Sequence, residues 1–188
     1  MNYLRGFIPW IAFAAVSAAG WQWGALTGLV LGIWLLIQDR KAGIAADSQI
    51  LEFSTIAFFA VLTVVAFASP DSSLEDYSGA LSLGWLAVTA WATLAVRRPF
   101  TTGIAKRQAP PEVWNSPVFR RINVVITAAW AAAFTVTAAV LIPVYHADLG
   151  SGVSIPIQVA GFVVPALFTA RYPDRVRARL SAPGAQEG

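Results

Sequence analysis

The 188-residue chain has no cysteine, one histidine and one methionine. Without cysteine there is no disulfide framework, no thiolate nucleophile and no cysteine-ligated metal or cluster. The single histidine, His146, has Asp148 two residues on, and one such pair falls short of the three or four convergent ligands of a zinc or haem site. Recognisable catalytic patterns are missing too: no Gly-x-Ser-x-Gly elbow, no P-loop, no His-Glu-x-x-His and no dinucleotide fingerprint. The expectation is a protein with no catalytic residues, no metal and no cofactor. Charge is scarce, at 12% of residues, about half the share of a soluble domain. Cations are also missing from alternate gaps between the hydrophobic stretches.

What is present is hydrocarbon, with 57% of residues hydrophobic and a mean hydropathy of +0.62. Six apolar stretches, 4–19, 21–37, 50–68, 79–96, 117–145 and 153–170, approach the roughly 20 residues a spanning helix needs. All 13 Lys and Arg fall at Arg5, at Arg40 and Lys41, between Arg97 and Arg121, and between Arg171 and Arg179. The gap holding Asp71, Glu75 and Asp76, and the gap holding His146 and Asp148, contain no cation. Alternation of this kind follows the positive-inside rule. It predicts an all-α, polytopic bundle of about six transmembrane helices, with both termini cytoplasmic. The first two stretches meet at Gly20-Trp21-Gln22-Trp23-Gly24 as a tight hairpin, and the first is read as a retained helix rather than a signal cleaved near Ser17. Tyr3, Tyr77, Tyr145 and Tyr172 all fall at span edges, where a ring lies in hydrocarbon and its hydroxyl in water. Residues 1–172 form the membrane domain, and 173–188 are expected to be an unstructured basic tail. The pI near 9.7 reflects cations beside apolar spans, which suits anionic lipid headgroups and gives no reason for a nucleic-acid partner.

Three features carry the functional expectations. Gly20, Gly24, Gly28 and Gly32 recur every fourth residue, so a helix through them presents one stripe without side chains, suited to close helix packing. Its partner is expected inside the bundle, on the first helix, with a homo-oligomeric contact as the alternative. Glu52 lies about one turn into the third stretch, near the positive end of its helix dipole. It is read as an interfacial carboxylate paired with the basic loops, with a polar gate as the alternative. The connection from Arg97 to Arg121 carries six of the 13 cations. Ser116 before Pro117 marks a helix start there, and residues 104–107 suggest a short amphipathic turn on the membrane surface. Arg97, Arg98, Lys106, Arg107, Trp114, Arg120 and Arg121 are the candidates for docking a partner or lipid.

Pro9, the Arg98-Pro99 step, Trp114 within a Pro-x-x-x-Trp run, Asn123, Trp130 and Phe134 together resemble the intracellular septation protein A family. The likeness covers most of the chain in segment order. It implies a small bacterial inner-membrane protein that maintains the cell envelope or supports septation by contacting membrane lipids and envelope or division proteins, with no catalytic residues to carry over. The other readings are a small oligomeric transporter or channel, and a membrane enzyme acting on lipid or quinone with Arg98, Glu112 and Trp114 at its surface.

Overall fold

The computed structural model describes residues 4–180, apart from the side chains of Leu4, Asp47, Arg179 and Leu180. A 3-10 turn, Leu4–Phe7, leads into α1 (Ile8–Val16), which ends in a second turn, Ser17–Ala19. Then follow α2 (Trp21–Lys41), α3 (Ile50–Ala68), α4 (Ser78–Ala95), the short α5 (Phe100–Lys106), α6 (Pro117–His146) and α7 (Ser151–Leu180). The fold is an all-α bundle.

Five helices, α2, α3, α4, α6 and α7, are long and apolar enough to cross a membrane. Their outward faces are apolar, for example Val61 at 63%, Val64 at 69% and Val88 at 66% exposure, as expected when lipid is the solvent. The chain is therefore a multi-pass integral membrane protein. The first stretch, Arg5–Ala19, is shorter, and the sixth crossing of the sequence reading rests on it. From Leu4 to Ala19, nine α-helical and seven 3-10 residues reach about 27 Å, because a 3-10 residue rises about 2.0 Å against 1.5 Å.

The helices form two groups. α2 lies between α1 and α3, α6 lies between α4 and α7, and α3 touches α4 lightly. Within each group, indole N–H groups find internal acceptors, since hydrocarbon offers none: Trp10 donates to Thr55 Oγ1 at 3.1 Å and Trp130 to Thr169 Oγ1 at 2.9 Å. The groups meet through Phe7, which stacks on Trp130 at 4.9 Å and meets Phe162 edge-on at 5.5 Å. A second seam is polar, with Ser54 and Thr89 hydroxyls 2.6 Å apart and Trp85 Nε1 donating to Ser54 Oγ at 2.9 Å. At the end away from the cations Tyr77 and Tyr145 pack edge-on, and Gln158 donates to the Tyr145 hydroxyl at 3.1 Å.

Three expectations need correction or restriction. Gly20 is not on the helical stripe: it caps α2 at φ 128°, a conformation open to glycine, and makes the hairpin turn. Residues 104–107 are not a turn laid on the surface: Ile104 is buried and 105–107 are partly buried. α5 enters the bundle and buries Phe100, Thr101, Gly103 and Ile104, with Gly103 against the Ser48 backbone and the Thr101 hydroxyl donating to Asn123 O at 3.0 Å. Residues 173–180 continue α7 as helix past Pro173, whereas 181–188, like Tyr3, lie outside the described residues.

Candidate functional site

Every described cation from Arg5 to Arg177 falls at one end of the bundle, and two constructions share that end. The inner one is a charge cluster. Asp39 sits in the last turn of α2 and is 2% exposed. A carboxylate there faces the negative end of the helix dipole, so its burial needs cations. It has two: Arg5 Nη1 at 3.0 Å from Oδ1 and Arg107 Nη1 at 3.0 Å from Oδ2. The same Arg107 guanidinium reaches Glu52 Oε1 through Nη2 at 2.7 Å and the Ser48 carbonyl at 3.4 Å. Arg107 directly follows α5, so this fork fastens α5 to α2 and α3 together. Planar geometry lets one guanidinium serve two carboxylates in a way a lysine ammonium does not. A cavity of about 10 Å³, room for one water, lies among Arg5, Asp39, Glu52, Thr55 and Arg107. Asp39 Oδ1, although within ion-pair distance of Arg5, makes no well-directed hydrogen bond, and neither does Arg107 Nε. A single water would satisfy such groups.

The outer construction is an open groove of about 780 Å³ between the start of α3, the end of α4, α5 and the start of α6. Arg97, Arg98, Lys106 and Arg120 line it, and no carboxylate does so among the described residues. Trp114 forms part of the rim, its Nε1 donating to Ala109 O at 2.9 Å and its ring lying 5.3 Å from Lys106 Nζ. Ile50, Leu94 and Val124 supply apolar wall. Two helix amino termini border the groove. That of α6 is capped by Ser116, whose Oγ accepts from Phe119 N at 3.1 Å, while that of α3 has no side-chain cap. Both ends add positive potential.

Arg97 has a backbone cost. α4 ends in a Schellman motif, with Arg98 N bonded to Thr93 O at 2.8 Å and Arg97 N to Leu94 O at 3.0 Å. Arg97 takes the left-handed position, φ 58°, which glycine fills at the end of α2, where Gly43 has φ 75°. An arginine there is strained by roughly 1 kcal/mol. Arg97→Gly is therefore expected to raise stability by up to about 1 kcal/mol, read as a higher thermal unfolding midpoint in detergent, while removing one cation from the groove.

Of the seven docking candidates, Arg97, Arg98, Lys106, Trp114 and Arg120 converge on this groove. Arg107 turns inward to the acids, and Arg121 is exposed without lining the groove. Glu52 is 8% exposed and paired with Arg107, an ion pair with the basic connection. The glycine stripe meets other parts of the same chain: Gly24 faces Phe13 and Ser17, whereas Gly28 faces Phe59 and Gly32 faces Thr55 and Ile56. The first helical segment is thus the partner of Gly24 alone, and α3 that of Gly28 and Gly32. Pro9, Asn123, Trp130 and Phe134 are buried. The residue that sequence reasoning missed is Asp39, and its signal was an acid in the final turn of a helix. Gln49, fully buried with neither amide atom bonded among the described residues, was missed as well. No family model, curated protein or solved structure matches the chain.

Proposed function

We propose that this integral membrane protein is a non-enzymatic component of the cell envelope, resident in the plasma (inner) membrane, that docks an anionic partner on its cytoplasmic, basic face. The supporting observation is the convergence of Arg97, Arg98 and Arg120 on one groove without a lining carboxylate among the described residues. Opposite charge on a partner would steer its encounter and fix its register there. The resemblance to the septation protein A family supplies the process, envelope maintenance or septation. Transport is the weaker reading, because the seams between the helix groups are filled by Phe7, Trp130 and Phe162 and by the Ser54–Thr89 contact. The test is replacement of the chromosomal copy by the doubly reversed Arg98→Glu, Arg120→Glu protein. Cells are expected to show the envelope or septum defect of a deletion while keeping normal protein levels in the membrane. Normal division and detergent resistance in the reversed strain, beside a defective deletion, would count against the proposal, as would a deletion with no envelope phenotype.

A further inference from the structure

We infer that the groove binds the phosphate headgroup of an anionic membrane lipid, whose chains leave it over Leu94 and Val124. The inference rests on the docking reading above and names its ligand. The chemistry fits phosphate: Arg97, Arg98 and Arg120 offer guanidinium forks, which pair two donors with two phosphate oxygens. None of the three forms an ion pair with a carboxylate among the described residues. Two helix amino termini add partial positive charge on the same side. A volume of about 780 Å³ suits a headgroup and the first carbons of its chains, being of small-molecule size.

Position favours a lipid over soluble phosphate. Beside the cations stand apolar side chains that meet the surroundings, with Val96 66%, Val118 38% and Val124 44% exposed. Ile50 and Leu94 continue that apolar wall inside the groove. Leu94, about one turn before Arg98, and Val124, about one turn beyond Arg120, place apolar surface deeper than the cations, the gradient of a bilayer interface, and Trp114 at the rim is the residue type that collects there. Inorganic phosphate has no use for the apolar wall. Below the groove the Ser54–Thr89 contact and the Trp85 indole close the seam between α3 and α4, so a headgroup seats at the interface and goes no deeper.

Native mass spectrometry of the full chain, exchanged from mild detergent into phosphatidylglycerol or phosphatidylcholine, tests this. One phosphatidylglycerol per chain is expected to survive release, with phosphatidylcholine lost. Arg98→Gln and Arg120→Gln should each weaken retention on the order of fivefold, whereas Arg121→Gln, adjacent in sequence and outside the groove, should leave it unchanged. Both altered groove residues are exposed, and unchanged far-UV helicity verifies the fold. Equal retention of the two lipids, or equal effects at Arg120 and Arg121, overturns the inference. Displacement of phosphatidylglycerol by inorganic phosphate reassigns the groove to a soluble anion, and preferential binding of an acidic peptide reassigns it to a protein; either overturns it. A cellular defect in the charge-reversed strain with normal lipid retention sinks the lipid and spares the docking reading. Lost retention without a cellular defect does the reverse.

Discussion

Truncating Arg107 to alanine is expected to destabilise the bundle by about 3–5 kcal/mol, the usual cost of stranding a buried charge. Asp39 and Glu52 are 2% and 8% exposed, and Arg107 is the cation that touches both. Arg5 stays with Asp39 but is itself 40% exposed, so water screens what it offers, and among the described residues it forms no ion pair with Glu52. The loss is read as a fall in the denaturant or thermal midpoint of detergent-solubilised protein. It measures the penalty of an unpaired acid, not the net value of the cluster. Neutralising all three together, Asp39→Asn, Glu52→Gln and Arg107→Met, is therefore expected to cost less than the single truncation, since desolvation and attraction largely cancel in buried ion pairs. A single Arg107→Ala variant within about 1 kcal/mol of the parent would show that water already supports the two carboxylates. The same truncation also frees α5, whose Thr102, Gly103 and Lys106 wall the groove, so phosphatidylglycerol retention should fall with stability although Arg107 does not line that groove.

Much of this architecture is legible in the sequence, for reasons that differ from element to element. The long helices follow from apolar runs of spanning length and from cations confined to alternate gaps, signals that survive any detail of packing. The start of α6 follows from Ser116-Pro117, because that dipeptide supplies both the cap and a residue that needs no donor. Glu52 as a partner of the basic connection follows from its place one turn into a helix. Asp39 does not follow, because Gln38-Asp39-Arg40-Lys41 has the composition of an ordinary solvated helix end; α2 instead continues to Lys41 and turns that acid inward. α5 was hidden by its length: seven residues give too few turns for a periodic pattern. Its burial depends on tertiary events, the approach of Gly103 to the Ser48 backbone and the reach of Arg107 to two other helices. Gly20 shares the four-residue spacing of Gly24, Gly28 and Gly32, and backbone conformation alone separates a turn from a packing stripe. Convergence of Arg97, Arg98, Lys106 and Arg120 is likewise a product of the α4–α5–α6 path, which spacing along the chain does not encode.

Gly28→Leu is expected to be strongly damaging, costing about 3 kcal/mol at the upper end of the usual overpacking range. A first side-chain carbon at Gly28 would already lie 2.7 Å from the Phe59 ring, and leucine adds three more. The ring cannot step aside: Phe59 is 0% exposed and is wedged among Trp10, Phe13 and Phe58 at centroid distances of 4.8, 5.4 and 5.2 Å. Trp10 is fixed in turn by its bond to Thr55, so displacement would propagate from α3 into α1. Gly32 gives the internal comparison, since a carbon there would meet Ile56 Cγ1 at 3.3 Å and Thr55 Cγ2 at 3.7 Å, a much milder approach. Gly32→Ala should be close to neutral, the higher helix propensity of alanine offsetting a small adjustment. Unfolding midpoints and native masses of both variants separate packing within one chain from contact between chains. If Gly28→Leu kept the parent midpoint and changed only the number of chains in the particle, the stripe would be an intermolecular surface; a large fall in midpoint at constant stoichiometry is the result expected from its seat against Phe59.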